Sequence, residues 1–161
     1  MARREPLWGN RMVEWGVLVL VILVLAGSFG YHAYRVQGQA ERAAVISTLG
    51  ALRTGLAIEH LRASVASHTS SAQSPNNPFE VLQRLPPNYG GLVAGRNVEA
   101  TTPGNWVFDP DCPCIGYKPM HAQWLEQPAD APALWYRIRR DSAVRELQPM
   151  QDYRWQGQMV P

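Results

Sequence analysis

Charge is missing from one stretch of this chain. Between Glu14 and Arg35 there is no Asp, Glu, Lys or Arg across 20 consecutive residues. A globular surface rarely goes that long without an ionised group, so this segment belongs in lipid or against other apolar helices. Lysine is nearly absent too, Lys118 being the only one, and the basic residues are otherwise arginines. The formal net charge of +2 gives no reason to expect nucleic acid as a partner. The two cysteines, Cys112 and Cys114, are too few for a disulfide-built scaffold. No Ser-His-Asp set, phosphate-cradling glycine loop or acid/base carboxylate pair occurs. His32, His60, His68 and His121 are scattered. These absences argue against an enzyme, a cofactor or a small-molecule substrate.

What is present begins with the uncharged run itself. It reads Trp15-Gly16 and then Val17 to Leu25 without a polar side chain, with Tyr31 and Tyr34 near its far border. About 20 apolar residues cross the hydrocarbon layer as a helix, and aromatic residues at both borders suit its interfaces. Arg3, Arg4 and Arg11 precede the run, whereas Arg35, Glu41 and Arg42 follow it. That bias places the N-terminus in the cytoplasm and the bulk of the chain outside. A cleaved secretory signal is the competing reading, with cutting near Val24-Leu25-Ala26 or Ala26-Gly27-Ser28. Against it, the helical pattern continues through Tyr31 and Tyr34 without a break.

The pattern divides the chain into 1–9, a short basic leader; 10–34, the membrane half of a long helix; 35–67, its amphipathic half; and 68–161, a loop-rich globular region. In the amphipathic half, Val45, Leu49, Leu52 and Leu56, then Ile58, Leu61 and Val65, recur at steps of three and four. Residues 67–76 are a polar connector. Asn77-Pro78-Phe79-Glu80 reads as a helix start running to about Leu85, where Pro86-Pro87 stops it. Asn88-Tyr89-Gly90-Gly91 reads as a turn. Three strands follow at 105–109, 115–118 and 133–139. In the third, Leu134, Tyr136 and Ile138 face inward and Arg137 and Arg139 outward. Met150 to Val160 reads as an edge strand or a loose end. The class is α+β, a long helix covering a small antiparallel sheet.

Gly9 lies five places before Glu14, at the mouth of the apolar run. With the later run Asn77-Pro78-Phe79-Glu80-Val81-Leu82, then Pro87-Asn88-Tyr89, Gly104-Asn105-Trp106-Val107-Phe108-Asp109 and Tyr117, the chain resembles the type IV pilin and type II secretion pseudopilin superfamily, in its minor-pilin-like or pseudopilin-like members. The resemblance implies cleavage by a prepilin peptidase between Gly9 and Asn10. It implies residence in the inner membrane with a periplasmic head. It also implies assembly with other pilin or pseudopilin subunits through the N-terminal helix, Glu14 setting register by pairing with the free amine of Asn10 on a neighbour. A buried carboxylate and ammonium each carry a desolvation cost that only good geometry offsets, so such a pair rewards one stagger over others. The departures are a mature start of Asn10-Arg11 rather than Phe or Met, and no mid-helix proline. Arg11, three residues before Glu14, could also pair with it inside one helix. A divergent minor subunit fits these departures better than a major pilin.

Cys112-Pro113-Cys114 leaves three readings open: a turn with two thiols, a local disulfide, or a metal site with Asp109, Asp111 and His121 nearby. The spacing matches no standard zinc pattern. Asp109 and Asp111 are weak calcium candidates, more simply read as a turn around Pro110. Arg137, Arg139 and Arg140 make a small basic strand face, and Trp106, Trp124, Trp135 and Trp155 suit a core. A membrane-anchored periplasmic module that never polymerises is the alternative function, and a secreted redox protein using Cys112 and Cys114 a third.

Overall fold

The computed structural model describes residues 7–66, 76–126, 133–139 and 145–161. The chain forms two compact units, residues 1–40 and 41–161. The class is α+β, with one long N-terminal helix and two small sheets. That helix, α1 (Leu7–Ala66), begins before Gly9. In the first unit its large apolar side chains, from Met12 through Phe29, are all exposed. It is long and apolar enough to cross a membrane, and none of its most apolar window is buried within the protein.

In the second unit, α1 from Glu41 onward packs on a sheet. Val45, Leu49, Leu52 and Leu56 are buried, as their spacing requires. Ile58, Leu61 and Val65 are not, being 44%, 62% and 78% exposed. At 100° per residue, positions 58, 61 and 65 lie roughly opposite the buried four, so the steps of three and four ran along two faces rather than one. Near Gly55 the helix meets a 3-10 turn, Pro78–Val81. A Cβ at Gly55 would stand 2.7 Å from Val81 Cγ2, so a glycine is what allows this approach. The turn is capped as expected, the Phe79 N–H donating to Asn77 Oδ1 at 3.1 Å. It ends at Val81, short of Leu85, because Leu82 already adopts an extended backbone.

Five strands make the main sheet: β1 (Tyr89–Leu92), β2 (Trp106–Asp109), β3 (Cys114–Tyr117), β5 (Leu134–Arg139) and β6 (Glu146–Pro149), in the order β1-β2-β3-β5-β6. The expected antiparallel trio is its centre, β2 pairing with β3 and β3 with β5. Where the sequence predicts a turn at Asn88-Tyr89-Gly90-Gly91, the chain instead forms β1, an edge strand running parallel to β2. A second sheet joins β4 (Leu125–Glu126), β7 (Tyr153–Trp155) and β8 (Gln158–Val160) in the order β4-β7-β8. It follows a 3-10 turn at Ala122–Trp124.

Aromatic residues fill the core. Trp106, Trp155, Tyr136, Tyr153 and Phe79 are fully buried. Rings follow one another from Phe79 to Trp106, Tyr117, Trp155 and Trp124 at centroid spacings of 6.1, 4.8, 6.4 and 6.1 Å. Leu134, Tyr136 and Ile138 are buried and Arg137 and Arg139 exposed, as the alternation of β5 predicts. Arg140 lies outside the described residues. Trp135 points to the face with the arginines, yet it is only 5% exposed. It packs with Val98, Val107, Cys114 and Ala133, and Val93, Cys112 and Met150 flank this second, smaller core. The Tyr153 hydroxyl ties the two sheets, donating to the Trp135 carbonyl at 3.1 Å and accepting the Trp135 N–H at 2.8 Å.

Candidate functional site

On α1, side chains three and four residues apart share a face. Val13, Glu14, Val17, Leu18, Val21 and Ile22 accordingly line one shallow groove of about 470 Å³. Its walls are aliphatic, and Glu14 is its one ionisable group. Such a groove accepts an apolar segment and rewards a cation placed opposite the carboxylate. Arg11 and Glu14 are both exposed. Among the described residues no ion pair joins them, which leaves the carboxylate open to another donor. Gly9 and Asn10 lie in the first turn of α1. Gly16, Gly27 and Gly30 have open space where a Cβ would stand, so the helix backbone is accessible to a close neighbour there.

The head holds the other residues the sequence singled out. Cys112 and Cys114 are joined as a disulfide, with their Cα atoms 5.3 Å apart. That separation lies in the ordinary range. Asp109 is fully buried, and both its oxygens are engaged by backbone donors. Oδ2 accepts the Arg96 N–H at 2.6 Å and Oδ1 accepts the Asp111 N–H at 2.9 Å. Its carboxylate and the two sulfurs lie within 4.8 Å of one another, the sulfurs being bonded together. Asp111 is exposed and does not share Asp109's surroundings. His121 stands at the cap of the Ala122–Trp124 turn, its ring 4.5 Å from that of Trp124.

Three polar residues outside the sequence-predicted site organise the head. Glu41 is 8% exposed, and its Oε1 accepts the Tyr117 hydroxyl at 2.7 Å and the Met120 N–H at 2.8 Å. It thereby fastens α1 to the end of β3. Burial, reinforced by the Glu41 hydrogen bond and charge, pushes the Tyr117 hydroxyl far above the ordinary tyrosine value. Beside it, Arg42 Nη2 donates to the Met159 carbonyl at 2.6 Å and so holds β8. Lys118 directs its ammonium at three carbonyls, those of Val98, Glu99 and Thr101. A signal for Glu41 was available in retrospect, since it falls four residues before Val45 on the buried stripe. Nothing local marked Lys118 beyond its being the only lysine.

A second depression of about 550 Å³ lies beside the β1 edge, lined by Asn77, Glu80, Tyr89, Leu92 and Phe108 among others. It carries no convergent set of catalytic groups. Compared with protein-family profiles, with curated proteins and with solved structures, the chain finds no match in any of the three.

Proposed function

We propose that this chain is a structural subunit of a pilin-like filament or secretion machine, a minor pilin or pseudopilin, that works by polymerising and carries out no chemistry of its own. One observation carries the reading. A helix whose outer part is built into a folded head continues into nine consecutive large apolar residues, Val17 to Leu25, all exposed. On the insertion scale these contribute roughly −3 to −5 kcal/mol together at the bilayer centre. The segment therefore rests in lipid before assembly and trades lipid for neighbouring helices on assembly. The Glu14 groove sits at one end of that surface and supplies register. The leader 1–9 is removed between Gly9 and Asn10 by a prepilin peptidase, the N-terminus faces the cytoplasm, and the head is periplasmic.

The test is crosslinking in native membranes. A single cysteine in place of Leu18, on the groove wall, is expected to form dimers and higher ladders when the partner machinery is present. Glu14→Ala is expected to abolish the ladder while leaving membrane insertion intact. A purely monomeric Leu18→Cys protein would contradict the reading. One observation favours the alternative of a plain anchored module: Gly9 and Asn10 are within a helical turn, whereas a scissile bond needs extended backbone. An uncut Met1 terminus in the native membrane would support that alternative.

A further inference from the structure

The connection from β1 to β2 is the most irregular part of the head. The two strands are parallel, and parallel neighbours are usually joined through a helix that satisfies its own backbone. Residues 93–105 contain turns and bends but no helix. Two of their carbonyls, those of Ala94 and Val98, accept N–H groups of the same loop, from Asn97 at 3.2 Å and Thr101 at 3.1 Å, and the loop's carbonyls also draw on donors outside it. Three of them converge on one atom. The carbonyls of Val98, Glu99 and Thr101 accept from Lys118 Nζ at 2.9, 3.1 and 2.7 Å. An ammonium has three hydrogens to give, so the set is complete. The backbone of the same residue closes the loop's exit. The Gly104 N–H donates to the Lys118 carbonyl at 2.6 Å, and the Lys118 N–H donates to the Asn105 carbonyl at 3.0 Å. At the loop's entrance, Asp109 holds the Arg96 N–H.

We infer that the carbonyls of residues 98, 99 and 101 form a cation cradle built for a primary ammonium and filled by the chain's own lysine, so that this loop keeps its shape without a metal ion. The distances are those of N–H···O bonds and are longer than the roughly 2.3–2.6 Å of calcium–oxygen bonds. Three neutral carbonyls also supply about half the oxygen ligands that calcium takes. A guanidinium does not substitute, because its planar fork spreads its donors instead of gathering three around one point. Two consequences follow. The loop surface is indifferent to chelators, and the only lysine of the chain is shielded from amine-directed chemistry.

Chemical rescue of full-length Lys118→Ala in detergent micelles tests this, with head unfolding followed by tryptophan fluorescence. The variant is expected to melt several degrees below the wild type. Methylammonium chloride is expected to restore part of the loss. Tetramethylammonium chloride, which has no N–H, and calcium chloride at matched ionic strength are expected to restore none. The wild type is expected to respond alike to both ammonium salts. Equal response of the variant to the two ammonium salts would overturn the inference, as would rescue by calcium alone. Should Lys118→Ala fail to fold, the wild type decides the matter. Acylation of Lys118 by an amine-reactive ester is expected to be at least about tenfold slower in the folded protein than in urea, and equal rates would overturn the inference.

Discussion

Gly116 lies opposite Trp135 in the register of β3 and β5, and the indole rests where a side chain on Gly116 would be. A Cβ there would stand 2.7 Å from Trp135 Cη2 and Cζ3 and 3.0 Å from Cε3. Carbon atoms prefer about 3.5–4.0 Å, so Gly116→Ala forces the ring outward by about 1 Å. Trp135 anchors the core formed with Val98, Val107, Cys114 and Ala133, and lifting the ring loosens all of it. Overpacking of this kind costs about 1–3 kcal/mol. For a head of this size that corresponds to a drop of roughly 3–15 °C in Tm. Urea unfolding of the full-length protein in micelles, read by tryptophan fluorescence, measures it. In the double variant Gly116→Ala/Trp135→Leu the two losses are expected to be less than additive, because the clash disappears with the ring. Gly50→Ala is the contrast. Its Cβ would meet nothing within 4 Å, so it is expected to stabilise α1 by about 1 kcal/mol. A Gly116→Ala protein within about 0.5 kcal/mol of the wild type would refute the packing argument.

The same reasoning extends to three polar groups. The Tyr136 hydroxyl is buried without a hydrogen-bond partner among the described residues, so Tyr136→Phe is expected to raise stability by about 1 kcal/mol in the same urea assay. Tyr117→Phe removes a donor from the buried Glu41 carboxylate and is expected to cost about 1.5–3 kcal/mol. Burial, first among the causes, raises Tyr117, Tyr136 and Tyr153 above the ordinary value near 10. Above that pH the unfolded chain loses phenolic protons that the folded head retains, so stability is full below about pH 10 and falls as the pH rises further. Unfolding midpoints measured across that range check it.

The parts of the fold readable in the sequence were those with a strong local period. The uncharged run, the stripe Val45-Leu49-Leu52-Leu56, the central strands and the Asn77 cap all announce themselves within a few residues. What escaped depends on distant partners. Asn88-Tyr89-Gly90-Gly91 reads as a turn because glycine weakens strands, and only pairing with β2 makes Tyr89–Leu92 a strand. A Cβ at Gly90 would lie 3.3 Å from the Trp106 carbonyl, a closeness that explains the glycine. Ile58, Leu61 and Val65 fit a helical period without revealing that they face away from the head. Trp135 suits a core by its residue type and is buried, but the crossover residues Val93 and Val98 that pack with it have no period of their own to announce them. β4, β7 and β8 are two or three residues long, too short for alternation to show. Of the candidate site, Glu14 and its apolar flank were readable directly. The roles of Glu41, Arg42 and Lys118 arise from partners 76, 117 and 17–20 residues away.

The proposed function requires that the apolar helix be retained after loss of the leader. The N-terminal residue of the protein isolated from its native membrane, read by mass spectrometry of the intact chain, tests that most directly. Asn10 as the first residue, with the apolar segment still attached, is the predicted result. A chain beginning at Gly27 and free of the membrane would contradict it.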